Sequence, residues 1–155
     1  MSERRLASEF RIADESVGLL LWQVTNRWQA AQRAALRPFD LTHVQFVLLA
    51  SLTWLEVDEP VTQRDLATHA FTDPMMTSQV LRVLERRGLV RRTAHPADRR
   101  ARALTVTDAG AALANQANAA VEACDRAFFA GLGASRDVFA KALRKLRSQE
   151  KSMQA

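Results

Sequence analysis

Residues 62–88, TQRDLATHAFTDPMMTSQVLRVLERRG, carry the start and stop signals of two short helices with almost nothing between them. Thr62 stands three residues before Asp65, a capping box with Asp in place of the usual Glu. Leu66, Ala67 and Ala70 then supply a short apolar stripe. After the brief Phe71-Thr72 turn, Asp73-Pro74 begins a second helix, since Asp is a good N-cap and Pro is favoured at the first helical position. That helix is predicted to run from Pro74 to Arg87 and to stop at Gly88, a C′ glycine. Two short helices across a tight turn form a helix-turn-helix. Neither can cover its own apolar stripe, so the rest of the chain must supply the lid.

The flanking sequence does so. Residues 12–36 contain no Pro and one Gly, and Val17, Leu20, Leu21, Val24, Trp28, Ala31 and Ala35 recur at helical steps. This long amphipathic helix is expected to stop before Arg37-Pro38. In DLTHVQFVLLASLTWL, Thr42 and Gln45 form a second capping box, and Leu41 and Phe46 a hydrophobic staple. The helix that follows should reach about Trp54–Val57, be ended by Asp58-Glu59-Pro60, and serve as the central core helix, because it is apolar on several sides. Beyond Gly88 the period changes. LVRRTA (89–94) and ARALTVT (101–107) suit strands, and HPADRR between them is a polar turn, so a hairpin with an arginine-loaded tip is predicted. Thr107 caps an alanine-rich helix of about 23 residues, broken at Gly131 and Gly133. Ser135 is expected to cap a last helix striped by Val138, Phe139, Ala142, Leu143 and Leu146.

The predicted fold is therefore mainly α with a small β-hairpin wing. A winged helix-turn-helix lobe over about 40–107 sits between helices over about 10–36 and 108–150, all within one domain spanning 1–155. The outer helices are too long for so small a lobe to cover, which predicts a homodimer joined through them. No apolar run approaches the roughly 18 residues of a membrane span, and no signal-like apolar stretch follows Met1, so a cytoplasmic protein is expected. The single cysteine, Cys124, excludes an intrachain disulfide and a Cys-rich zinc site. His43, His69 and His95 are scattered, and no metal or cofactor is expected. No nucleophile–base pairing, glycine-rich phosphate loop or paired ligand motif points to an enzyme.

Charge is local rather than global. The net charge is +5, yet the stretch from Arg86 to Arg102 alone holds seven arginines (86, 87, 91, 92, 99, 100, 102) against one acid, Asp98. Such a block suits a polyanion, and the helix-turn-helix makes double-stranded DNA the expected partner. On the second helix Thr77, Val80, Leu81 and Leu84 should pack inward, leaving Ser78, Gln79, Arg82 and Arg86 outward. Gln79 suits adenine and Arg82 guanine, and Ser78 can reach a base or a phosphate. Thr77 also belongs to the candidate contact set, as do Thr62, Gln63 and Arg64, whose helix N-terminus can hold a phosphate. At the hairpin tip Arg99 or Arg100 can enter the minor groove, with Asp98 pairing with and orienting the Arg100 guanidinium. Spacing does not choose between the two arginines. The competing reading is a solvated arginine edge, or a hairpin that docks an acidic protein.

LTHVQFVLLASL, TQRDLATHAF, MTSQVLRVLERRGLVRRTAHPADRRARALTVTDAG and, above all, Asp98-x-Arg100 followed by Leu104-Thr105-x-Thr107-x-x-Gly110 resemble the MarR family of bacterial transcriptional regulators over about residues 10–148. The resemblance implies a dimeric repressor on a pseudo-palindromic operator, with Pro74–Arg87 in the major groove. It also implies Arg100 as the wing-tip arginine and Asp98 as its orienting partner. It further implies release by a small aromatic, phenolic or anionic effector, for which Trp22, Arg27, His43 and Trp54 are the candidate contacts, with core tryptophans and an exposed His43 as the alternative. A constitutive regulator without a ligand is the other outcome. Peroxide sensing is disfavoured, because Cys124 lies in the alanine-rich helix and not in the first.

Overall fold

A computed structural model describes residues 6–55 and 59–149. After a 3-10 turn at Ala13–Glu15, Ser16 caps α1 (Val17–Leu36), its hydroxyl accepting the Leu19 N–H. A second 3-10 turn at Arg37–Phe39 leads to α2 (His43–Leu55). Then come β1 (Val61–Thr62), α3 (Gln63–Ala70), α4 (Pro74–Arg86), β2 (Val90–Ala94), β3 (Arg102–Val106), α5 (Asp108–Phe129) and α6 (Arg136–Arg147). The end of the α2 pattern at 56–58 falls outside the described residues. No described helix is long and apolar enough to cross a membrane.

The caps are where the local chemistry requires them. Thr42 N–H donates to Gln45 Oε1 and Gln45 N–H to Thr42 Oγ1, closing the box at α2. Leu41 and Phe46 are both buried beside Leu36, Ala117 and Val121. At the end of α4, Gly88 takes φ +71°, its N–H donates to the Glu85 carbonyl, and Leu89 N–H reaches back to Leu84. Those two bonds are a Schellman motif. Thr107 Oγ1 accepts the Gly110 N–H as the cap of α5 and donates to the Gly88 carbonyl, tying the start of α5 to the end of α4. Ser135 differs from expectation. It has helical dihedrals and makes no side-chain cap bond, because the 3-10 segment Ala130–Ser135 runs directly into α6.

The strands form an antiparallel sheet in the order β1-β3-β2, with Val61 opposite Leu104 and Arg92 also opposite Leu104 on the other side. The hairpin is as predicted, but β1 is an addition. Two residues are too few for a periodic signal, and β1 exists only because β3 offers it an edge. Leu48, Leu49, Leu52, Leu66, Leu81, Leu84 and Leu104 form the heart of the lobe, so α2 lies at its centre under α3, α4 and the sheet.

The turn of the helix-turn-helix holds Phe71 at φ +53° with its ring 59% exposed. A residue with a Cβ is strained in that left-handed region. Phe71→Gly should therefore raise folding stability by up to about 1 kcal/mol, the ring's lost partial burial offsetting some of the gain. A lower urea midpoint for the variant would contradict this account.

Candidate nucleic-acid interface

α4 presents one face to the core and one to solvent. Thr77, Leu81 and Leu84 are wholly buried, while Gln79, Arg82 and Arg86 are exposed and Ser78 is half-buried. Thr77 must therefore be removed from the contact set. Its side chain is fully enclosed, and its hydroxyl is taken up by the Asp73 carbonyl at 2.8 Å and by Thr72 Oγ1 at 2.7 Å. It fastens the turn. The exposed stripe has a member that the sequence reading missed. Met75, 72% exposed, precedes Gln79, Arg82 and Arg86 at steps of four, three and four. Its thioether has no strong donor or acceptor to mark it in the sequence as a base contact.

At the start of α3 the capping box is complete. Thr62 accepts the Asp65 N–H, and Asp65 Oδ2 accepts from both the N–H and the hydroxyl of Thr62. The two Thr62 bonds hold the Asp65 carboxyl below its ordinary range. The hydroxyl proton of Thr62 is thus committed, leaving the exposed Arg64 as the freest of the three candidates here. Gln63 Oε1 accepts from Arg92 Nη1 at 3.1 Å. Arg92 also pairs with Glu85 at 3.0 Å, so this arginine ties β2 to α3 and α4. Arg87 reaches the Asp40 carbonyl at 2.7 Å. Two of the seven arginines in the basic stretch are thus braces within the fold, while Arg86, Arg91, Arg99, Arg100 and Arg102 are exposed.

The hairpin tip is ordered by its own polar atoms. His95 Nδ1 accepts the N–H groups of Ala97 and Asp98, both at 3.1 Å. Asp98 Oδ1 accepts the Arg100 N–H at 2.9 Å. The expected pairing of Asp98 with the Arg100 guanidinium is thus replaced by a bond to its backbone. A two-residue separation suits an Asx turn better than a side-chain ion pair. Asp98 shapes the backbone from which Arg99 and Arg100 project, and both side chains stand in solvent.

The MarR family model matches residues 41–101. An uncharacterized HTH-type transcriptional regulator, YdcH, of Bacillus subtilis (strain 168) is 44% identical over 79% of this chain and 84% of its own length. The HTH-type transcriptional repressor Rv2887 of Mycobacterium tuberculosis is 36% identical over 87% of this chain and 96% of its own. The chain belongs to the MarR family. Its fold is matched by Rv2887 in complex with salicylic acid (35% identity, TM-score 0.67, 87% of this chain and 99% of that one). A transcriptional repressor, CouR, bound to a 23-mer DNA duplex, matches at 28% identity and TM-score 0.79, over 90% of this chain and 99% of that one. This MarR-family protein is accordingly a DNA-binding transcriptional regulator.

In this MarR-family chain the four candidate effector contacts do not gather around one point. Trp22 and Arg27 line a shallow cleft on α1. Arg27 also faces a second cleft with Val24, Phe128, Phe129 and Phe139. Trp54 is 82% exposed and Trp22 68% exposed, so neither is a core residue of the single chain. His43 is half-buried and meets the ring of Trp28 edge-on, with centroids 5.1 Å apart. Trp28 Nε1 and Gln32 Nε2 both donate to Asp125 Oδ1, at 2.8 and 2.6 Å. This knot joins α1 to α5 and went unread in the sequence. Its signal was there, since Trp28, Gln32 and Leu36 share one helical stripe, as do Ala117, Val121 and Asp125. Cys124 beside it is half-buried, and burial, with Asp125 adding to it, pushes its thiol up, which works against thiolate chemistry.

Burial lowers the His43 pKa from its ordinary 6.5, against the pull of Asp125 and with the help of Arg33. The unfolded chain therefore takes up this proton at a higher pH than the folded one does. Stability from this group is full above about pH 6.5 and falls as pH drops through the window below it. The melting temperature should decline on acidification from about pH 7 to about pH 5.5, and His43→Asn should flatten part of that decline. Parallel profiles for the two proteins would rule this contribution out.

Proposed function

We propose that two copies of this chain form a repressor on a pseudo-palindromic operator. In this reading residues of about 40–107 form the DNA-binding lobe, and the helices within about 10–36 and 108–150 join the copies. The exposed apolar side chains Val17, Leu20, Leu21, Val138, Leu143 and Leu146 support the pairing, because they leave α1 and α6 with unburied stripes. α4 lies in the major groove, with Gln79, Arg82 and Arg86 toward the bases and Ser78 beside them. Arg64 and the first turn of α3 meet the phosphate backbone. Arg100 enters the minor groove, carried by the Asp98 turn, with Arg99 beside it on the backbone. The protein works in the cytoplasm by binding, without a catalytic step.

One observation carries the reading. The outward stripe of α4 holds two arginines and no acid, and the ordered tip of the hairpin adds two more. A polyanion is the ligand such a surface suits. Sedimentation of the full chain, alone and with a duplex selected from a random pool, tests it. A dimer bound to mirrored half-sites is expected. A monomer, or a pool that yields no enriched sequence, overturns it.

The effector reading is that a small aromatic acid sets its ring among Phe128, Phe129 and Phe139 and its carboxylate on Arg27. The support is a cleft whose lining is apolar, three phenylalanines among it, but for one guanidinium, together with the salicylic acid bound by the relative Rv2887. Salicylate should then release the protein from its duplex, and Arg27→Ala should blunt the response. Release that is indifferent to Arg27 moves the ligand elsewhere, and no release across a panel of aromatic acids favours a constitutive regulator.

A further inference from the structure

We infer that Met75 reads a thymine methyl group, making it a determinant of operator sequence that works without hydrogen bonds. The inference rests on the proposal that α4 enters the major groove.

Met75 is the second residue of α4, directly after Pro74 at the helix start. It heads the outward stripe that continues through Gln79, Arg82 and Arg86, and it stands 72% clear of the protein. Residues at the N-terminal end of a recognition helix are those that come nearest the base edges. Met75 therefore lies deepest in the proposed reading face, ahead of both arginines. Its side chain has no strong donor or acceptor, so it cannot use the donor–acceptor code of the groove. Thymine alone among the four bases offers an apolar feature there, its C5-methyl group. A long unbranched thioether with three rotatable bonds can settle over that methyl without demanding one fixed geometry. Charge gives the same answer. The stripe behind Met75 is cationic and no acid interrupts it, which suits a duplex and not an apolar protein partner. Gln79 is the next residue of the stripe and suits adenine, so the thymine read by Met75 is expected within a base step or two of that adenine.

The test begins with duplexes enriched by the wild-type protein from a random pool. Each thymine of the enriched site is replaced in turn by uracil, which keeps every hydrogen-bonding group and removes only the methyl. Burying one methyl is worth roughly a fourfold change in affinity. One symmetric thymine position should therefore weaken wild-type binding by about fifteenfold when both half-sites carry uracil. 5-Methylcytosine in place of cytosine at that position should recover part of the affinity lost with plain cytosine. Met75→Ala should bind the thymine and uracil duplexes equally, whereas Met75→Leu, which keeps an apolar tip, should still tell them apart. The assignment is overturned if no uracil position weakens the wild type, or if Met75→Ala discriminates as strongly as the wild type does. A pool that yields no enriched sequence overturns the groove proposal itself and this inference with it, so the two failures are distinct.

Discussion

Gly110→Ala is expected to lower folding stability by about 2 kcal/mol or more. A Cβ at Gly110 would overlap the carbonyl of Leu89, whose carbon would lie at 2.9 Å, and would come within 2.9 Å of Val106 Cγ2. The obstacle is backbone and cannot swing aside. Leu89 N–H is held by Leu84 in the Schellman turn, and its carbonyl accepts the Thr107 N–H at 3.1 Å. Alanine would gain up to about 1 kcal/mol in helix propensity, which offsets only part of a clash costing about 3 kcal/mol. The close approach exists because α5 starts against the end of α4, and Thr107 bonds both helices there. Urea denaturation compares the two proteins directly. A variant as stable as the wild type would show that α5 can lift off Leu89 without cost.

Arg100→Ala should leave the fold intact and weaken operator binding by on the order of a hundredfold, about 1–2 kcal/mol for each wing of a dimer. The tip that carries Arg100 is built from His95 Nδ1, Asp98 Oδ1 and neighbouring backbone groups, none of which the substitution touches. Losing one cation per protomer should also flatten the dependence of log affinity on log salt by about 2. Arg92→Ala is the matched control. That side chain is occupied by Glu85 and Gln63, so its loss should cost stability before affinity. Anisotropy titrations at several salt concentrations, with melting curves for each protein, separate these effects. Unchanged affinity and slope for Arg100→Ala would remove the wing from the interface.

The helix-turn-helix, the two capping boxes and the hairpin were legible because their signals are short in range. Thr62 meets Asp65, and Thr42 meets Gln45, within a single helical turn. The candidate interface was legible only in part. The outward face of α4 follows from periodicity, but Met75 has no polar atom to mark it as part of a reading face. By spacing Thr77 fits both the packing face and the contact set, and its complete burial leaves it the first role alone. Charge alone pairs Asp98 with a guanidinium, whereas its two-residue reach serves a backbone amide.

By itself the sequence determined the starts of α2, α3, α4 and α5 and the stop of α4 at Gly88, because capping and turn chemistry is settled among residues three or four apart. It also determined that a basic block follows the second helix of the motif, since charge needs no fold to be counted. Only the tertiary structure decided which of those charges are available. Arg87 finds Asp40 and Gln45, Arg92 finds Gln63, and Trp28 and Gln32 find Asp125, each across a long span of chain. An arginine's role depends on what lies within about 3 Å of its guanidinium, and for these side chains that neighbour is brought in by packing, not by sequence order.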